Sequence, residues 1–461
     1  MPRIVDSHQI LLSLILLALI FHIVTCSSSQ RTQDHEVKRC INYSPIFFNT
    51  KNIDVAVASE ENHYKILLPY LKQHGVNCIR LYFTDWRRYH ADFFKVVNEL
   101  HMKVMITFWQ YTDSTPNLAD SKERQKTHDD AVFLFKTIST EPSVFMIFYG
   151  NELDLIYPYQ IPLVFVAFQE FIDLQRQVIP DPTKRKSLSL PLSDSGFNLK
   201  YVADYDWVQA DYNTFNIYRG STFLDFVESY KMVNPSKPLI IAETGASSYY
   251  QFPHQIPKPY YVYNASDPSI QLGERYQAMN HQRVLMEYIA SSVVNPGLLD
   301  VLCLFEATDE YWKTSNDLNP YCQSRDGHLA SRQNTCGYQN VNYKDKMIHE
   351  AFLGLMRQDY SKDEFSLIPK PSFNVMSFYY RSMENISQWS CEISQSGWNS
   401  DILNTRIVPD IVYNVPYETL RLFETVFQTK IGEKIFTCKF KGKMEILQAL
   451  PLKMNLYNYH I

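Results

Sequence analysis

Between residues 41 and 360 the chain alternates short apolar runs with longer stretches whose apolar positions recur every three or four residues. The short runs lie at Ile41–Phe47, Asn77–Phe83, Lys103–Trp109, Val144–Tyr149, Ser187–Leu190, Thr214–Tyr218, Pro238–Glu243 and Asp300–Glu306. Runs of this length predict strands buried on both faces. The longer stretches, at His63–His74, Asp92–His101, Asp129–Ser139, Leu163–Val178, Thr222–Met232 and Glu274–Ser291, predict amphipathic helices. Strands alternating with helices imply a parallel sheet, and eight such units are the number that closes a barrel. The competing arrangement is a doubly wound open sheet, which announces itself by a Gly-rich loop after its first strand. Asn42–Thr50 contains no Gly. The expected fold class is therefore α/β: a (β/α)8 TIM barrel over residues 38–371, with a small C-terminal appendage over 379–461. The Pro-Lys-Pro at 369–371 marks the boundary, and long insertions follow strand seven (Ala246–Gly273) and strand eight (Ala307–Asn342).

Composition narrows the function. With 45% hydrophobic residues the chain can bury a sizeable core, which excludes wholesale disorder. Lys+Arg 44 against Asp+Glu 49 leaves a net charge of −5, without the basic surplus of a nucleic-acid binder. Arg3 followed by the apolar stretch Ile10–Val24 and Cys26-Ser27-Ser28-Ser29 predicts a cleaved secretory signal over residues 1–26. Its apolar run is short of the ~20 residues of a comfortable membrane span, so a secreted protein without stable membrane insertion is expected. In that compartment cysteines can pair. Of the eight, Cys78 and Cys303 sit in apolar runs as expected buried thiols. Cys322 and Cys336 flank a polar loop, and Cys391 and Cys438 are the natural bridge within the appendage. Asn42, Asn264 and Asn385 each begin a glycosylation sequon. The 13 histidines show no paired metal spacing, and no metal site is expected.

Chemistry in a barrel sits at the carboxyl ends of the strands. Strand two ends Arg80-Leu81-Tyr82 and runs on to Asp85-Trp86; strand three ends at Trp109, with Tyr111 beyond it. Strand four ends Gly150-Asn151-Glu152, strand six Asn216-Ile217-Tyr218, and strand seven Glu243-Thr244-Gly245. Strand eight runs into Glu306, Asp309, Glu310 and Trp312. The acids of strands four and seven thus face one mouth, among aromatic side chains suited to sugar rings, which is the inventory for glycoside cleavage. Glu306, Asp309 and Glu310 read as loop capping and solvated charge.

Gly150-Asn151-Glu152 together with Ile241-Ala242-Glu243-Thr244-Gly245 resembles the clan of retaining (β/α)8 glycoside hydrolases. Leu68–Tyr82, Val144–Leu153, Tyr212–Tyr218 and Pro238–Gly245 are most similar to the fungal β-1,3-glucanosyltransferases, over roughly residues 38–360. That resemblance implies Glu152 as acid/base and Glu243 as nucleophile, with Arg80 beneath Glu243 and the Tyr218 hydroxyl beside it. Tyr82, Asn151, Trp109 and Trp312 complete the substrate-binding set. The function it implies is a secreted retaining glycosidase or transglycosylase acting on β-linked polysaccharide, β-1,3-glucan favoured, with no cofactor. The alternative is a catalytically inactive carbohydrate-binding or cell-wall structural protein on the same scaffold.

Overall fold

The structure is a computed structural model that describes residues 36–44, 63–82, 90–108, 116–194, 198–233, 237–250, 266–310, 337–339, 342–344, 347–359, 365–394, 423–431, 434–442, 449 and 451–454. The leader expected over 1–26, the Asn264 sequon and the cysteines Cys322 and Cys336 lie outside these residues.

Eight parallel staves form a ring. They are β1 (Lys38–Tyr43), β2 (Cys78–Leu81), β3 (Lys103–Phe108), β4 (Val144–Tyr149), β5 (Ser187–Ser189, continued by Pro191–Ser193), β6 (Asn213–Asn216), β7 (Leu239–Thr244) and β8 (Leu299–Leu304). The two halves of β5 do different work: Leu188 pairs with Ile147 of β4, and Leu192 pairs with Phe215 of β6. Cys40 of β1 stands opposite both Cys78 of β2 and Cys303 of β8. Every stave therefore has two parallel neighbours, as the sequence pattern predicts for a barrel and not for an open sheet. Outside the ring run α1 (Tyr64–Gln73), α2 (Ala91–Glu99), α3 (Ser121–Ile138), α4 (Ile161–Val178), α5 (Asn198–Asp204), α6 (Leu224–Val233) and α7 (Pro268–Val294). Helix α3 starts eight residues before its apolar pattern, because the Asp120 carboxylate caps it by accepting from the Lys122 amide at 2.8 Å. Asp267 starts α7 in the same way through the Ser269 amide, with Pro268 at the first helical position.

The barrel interior is packed. Cys40, Cys78, Met105, Met146, Phe148, Ile240, Ala242, Val301 and Cys303 form one solvent-free cluster. Cys78 and Cys303 are the buried thiols the sequence predicts, and Cys40 joins them. One expectation fails here. Asn42 sits fully buried on β1, its amide donating to the Ala242 carbonyl at 3.1 Å, so its sequon is closed to a glycan.

Beyond the barrel, Met356–Asp359 and Leu452–Met454 flank Phe365–Pro369 in an antiparallel sheet. Helix α8 (Pro371–Ser382) follows and packs along α7. A second antiparallel sheet places Lys434–Gly442 between Trp389–Ser394 and Phe423–Ile431. Cys391 stands opposite Cys438 in it, bridged with a Cα separation of 4.1 Å, as the sequence predicts. Among the described residues no helix is long and apolar enough to cross a membrane.

Candidate active site

The β4 turn aims the first acid. Gly150 takes φ +71°, a conformation that costs a glycine little, and its amide donates to the Phe108 carbonyl at 2.9 Å. Glu152 also lies in the left-handed region, at φ 49° and ψ 43°, which is uncommon for a side chain of this size. Two tethers hold it there. The Glu152 amide donates to the Pro191 carbonyl at 3.0 Å. Buried Asp154, in the single helical turn that follows, accepts from both the amide (3.1 Å) and the hydroxyl (2.5 Å) of Ser193. Strand β5 thus fixes the loop of β4.

The second acid stands near the end of β7 in a cage of donors. Glu243 Oε1 accepts from the Tyr82 hydroxyl at 2.6 Å and from Arg80 Nη1 at 3.1 Å; Oε2 accepts from the Tyr218 hydroxyl at 3.0 Å. Three donors, one of them a cation, thus converge on this carboxyl, and hydrogen bonds of that charge-assisted kind are the strong ones. Arg80 is fully buried, and its guanidinium lies 4.4 Å from the Tyr82 ring centre and 4.9 Å from that of Phe148. Phe305, just after β8, meets the rings of Tyr82 and Tyr218 edge-on and packs beside both phenols. Burial, with help from the Glu243 charge and against the pull of Arg80, holds the Tyr82 hydroxyl well above its usual pKa, so it stays a proton donor.

A polar bridge joins the two halves. Arg80 Nη2 donates to Asn151 Oδ1 at 2.7 Å, and Asn216 Nδ2 donates to the same oxygen at 3.1 Å. Arg80 Nη1 reaches Asn216 Oδ1 at 3.4 Å and the Ala242 carbonyl at 3.1 Å. Glu152, partly open to the mouth but with its carboxyl amid protein, is pushed up to about 8. Burial is the main cause and the Glu243 charge the second; the Asn216 amide and Arg80 oppose them. Glu152 is thereby driven toward its protonated form at neutral pH, while three donors converge on the Glu243 carboxyl.

Of the residues expected from sequence, the structure brings Arg80, Tyr82, Asn151, Glu152, Tyr218 and Glu243 into this one network. Trp86, Trp109 and Trp312 lie outside the described residues. Sequence reasoning passed over Asn216, although it ends β6 two residues before Tyr218. It also misplaced three acids. Glu306, Asp309 and Glu310 are buried, not solvated, and Asp309 pairs with the equally buried Lys370 at 2.5 Å. Turn-rich acidic sequence suggests solvent, but the segment that covers these residues comes from beyond the barrel and has no local signal.

No protein-family profile and no curated protein matches the chain. Solved structures do resemble it in part. Saccharomyces cerevisiae Gas2p in complex with laminaripentaose overlaps at a TM-score of 0.47 and 14% identity, covering 76% of this chain and 66% of that one. A mutant of the same yeast protein, in complex with laminaritetraose and laminaripentaose, gives 0.47 and 14%, covering 76% of this chain and 64% of its own. The chain thus spans slightly less than two thirds of the length of these structures. With overlap this partial, strand order and register are the grounds on which the barrel stands.

Proposed function

We propose that this protein is a secreted glycosidase or transglycosidase that cleaves β-linked polysaccharide with retention of configuration. The observation that supports it is the asymmetry of the two acids: Glu243 in a cage of three donors, Glu152 with its pKa raised to about 8. In the first step Glu243 attacks the anomeric carbon while Glu152 gives its proton to the leaving oxygen, and a glycosyl-enzyme ester forms. In the second, Glu152 takes a proton from water or from a sugar hydroxyl, which attacks the same carbon and frees Glu243. Arg80, Tyr82 and Tyr218 hold the nucleophile in line and receive its charge again when the ester breaks. Asn151 has its carbonyl oxygen fixed by two donors, which leaves its amide group to a substrate hydroxyl. The sequence resemblance favours β-1,3-glucan. The leader over 1–26 and the Cys391–Cys438 bridge both suit an oxidising compartment.

The test separates the acids. Glu243→Ala should lose turnover on every substrate by several orders of magnitude. Glu152→Ala should lose roughly 10²–10⁴-fold on natural glycosides but little on aryl glycosides with good leaving groups. Azide should rescue Glu152→Ala to a β-azide and give only α-azide with Glu243→Ala. Substrates would be laminarin, cellulose, mannan and xylan oligosaccharides. Parent protein that binds these without turning any over would be the inactive carbohydrate-binding scaffold instead.

A further inference from the structure

Two further carboxylates at the carboxyl end of the barrel are turned into the protein, and both bear on the end of β5. Asp154 follows Glu152 by two residues and is buried. Asp194 follows the last residue of β5, and its side chain is 9% exposed. Strand β5 itself carries neither of the proposed catalytic acids. On one side, Ser193 donates to Asp154 through both its amide and its hydroxyl. The turn that holds Asp154 is closed by the Leu155 amide on the Glu152 carbonyl at 2.9 Å and anchored beyond by the Tyr157 hydroxyl on the Pro116 carbonyl at 2.8 Å. On the other side, Arg219 grips Asp194 with two prongs, Nε at 2.5 Å and Nη2 at 2.8 Å. Its Nη1 donates to Asp225 of α6 at 2.7 Å, and its guanidinium lies 5.1 Å from the Phe226 ring centre. Arg219 is the residue after Tyr218, whose hydroxyl donates to Glu243. Ser193 also stands opposite Asn216 in the β5–β6 register, and Asn216 donates to Asn151 beside Glu152.

We propose that Ser193-Asp194 is a positioning clamp for the two acids: Ser193 acts through Asp154 on Glu152, and Asp194 acts through Arg219 on Tyr218 and so on Glu243. The clamp's purpose rests on the function proposed above. A left-handed residue other than glycine persists only where its surroundings over-determine it. At Glu152 those surroundings are the Pro191 carbonyl and the Asp154–Ser193 pair, so both tethers come from the second half of β5. Burying a carboxylate is costly, and a loop could be tied down by a neutral group at less expense. The charge of Asp154 adds a second effect that a neutral tether lacks. It helps to raise the Glu152 pKa, behind burial and the Glu243 charge, while the Asn216 amide and Arg80 pull the other way. Asp154 thus aims the acid and helps to keep its proton. Asp194 has a different task, because the two-pronged pair fixes the backbone next to Tyr218 and leaves Glu152 alone. Misplacing a reacting group by about 1 Å can cost on the order of 10²-fold in rate, so each arm of the clamp has a kinetic signature.

The experiment compares kcat/KM of the full chain on the oligosaccharide it cleaves best and on an aryl glycoside with a good leaving group. Asp154→Asn disturbs the acid, so it should lose roughly ten-fold or more on the oligosaccharide and little on the aryl glycoside, which needs no proton to depart. Asp194→Asn disturbs the nucleophile's side, so it should lose by a similar factor on both substrates. Ser193→Ala removes only the hydroxyl donor. It should repeat the Asp154→Asn pattern at smaller size, even if Asp154→Asn does not fold, and Ser193→Thr should restore it. Losses that do not differ between the two substrates for Asp154→Asn and Ser193→Ala, or no loss in any variant, would overturn the proposal. If the parent cleaved no glycoside at all, the catalytic reading would fail, and carboxyl ¹³C shifts would decide the clamp. The Glu152 midpoint should then fall in Asp154→Asn and hold in Asp194→Asn, and a midpoint unmoved by Asp154→Asn would overturn it.

Discussion

At the scale of single residues, the two acids were legible because each ends an apolar run whose place in the strand count is known. Asn216 was not, because nothing in Asn-Ile-Tyr says that its amide faces a carboxyl and a guanidinium brought from two other strands. The titration of Glu152 tests this scale. General acid catalysis needs it protonated, so kcat/KM should hold below about pH 7 and fall as pH rises through about 8. The sign for stability follows from the same shift. Between the ordinary carboxyl value and about 8 the folded state binds a proton that the unfolded state has released, so wild-type stability declines with pH across that window. Glu152→Gln has no such proton to lose. It should therefore gain on wild type by roughly 1–3 kcal/mol between pH 5 and 8, read from denaturant midpoints. A constant difference across that range would mean that Glu152 titrates normally. Glu243→Gln should lower the Glu152 pKa only in part, followed by carboxyl ¹³C shifts, because burial is the larger cause.

At the scale of elements, all eight strands and six of the barrel helices could be placed from apolar spacing, with the errors at their ends. Strand β1 begins at Lys38 rather than Ile41 because Arg39 is buried there, its Nε donating to the Gly75 carbonyl at 2.6 Å. A charged pair gives no apolar signal for such a start. Helix α5 was missed because its seven residues make less than two turns of a helical pattern. The C-terminal sheet was beyond reach apart from its bridge, since strands that are far apart in sequence pair by contacts no window contains. That bridge closes 47 residues of chain, and the chain-entropy account puts such a loop at about 4 kcal/mol. Cys391→Ser with Cys438→Ser should therefore loosen Lys434–Gly442, seen as a loss of amide-exchange protection of that order. Protection in β4 and β7 should hold. Equal loss across the barrel would show that the sheet and barrel unfold as one cooperative unit.

At the scale of the whole molecule, the barrel mouth is braced by chain that follows the barrel. Lys370 is buried and uses all three of its donors: on Asp309 at 2.5 Å, on the Ser248 hydroxyl at 2.7 Å and on the Gly354 carbonyl at 2.7 Å. Gln277 of α7 donates to the Ala246, Leu353 and Gly354 carbonyls, and its own oxygen accepts from Ser372 at 2.7 Å. Gly354 passes so close to the loop after β8 that a Cβ there would lie 2.0 Å from the Asp309 amide nitrogen, and only a glycine fits. The loops leaving β7 and β8, which follow Glu243 and carry Phe305, are thus locked to α7 and to the start of α8. None of this was readable in Pro-Lys-Pro, which the sequence marks only as a boundary and whose lysine is buried with its charge turned inward. Removing one partner of such a pair strands the other charge in the interior. Lys370→Met should therefore cost about 3–5 kcal/mol, and Asp309→Asn a similar amount. Combining them removes both charges, so the double variant should cost clearly less than the sum, with a coupling of roughly 1–3 kcal/mol in a double-mutant cycle. Chemical denaturation of the four proteins measures it. Strictly additive losses would mean that Lys370 acts through its bonds to Ser248 and Gly354, and that the ion pair with Asp309 does not hold the mouth.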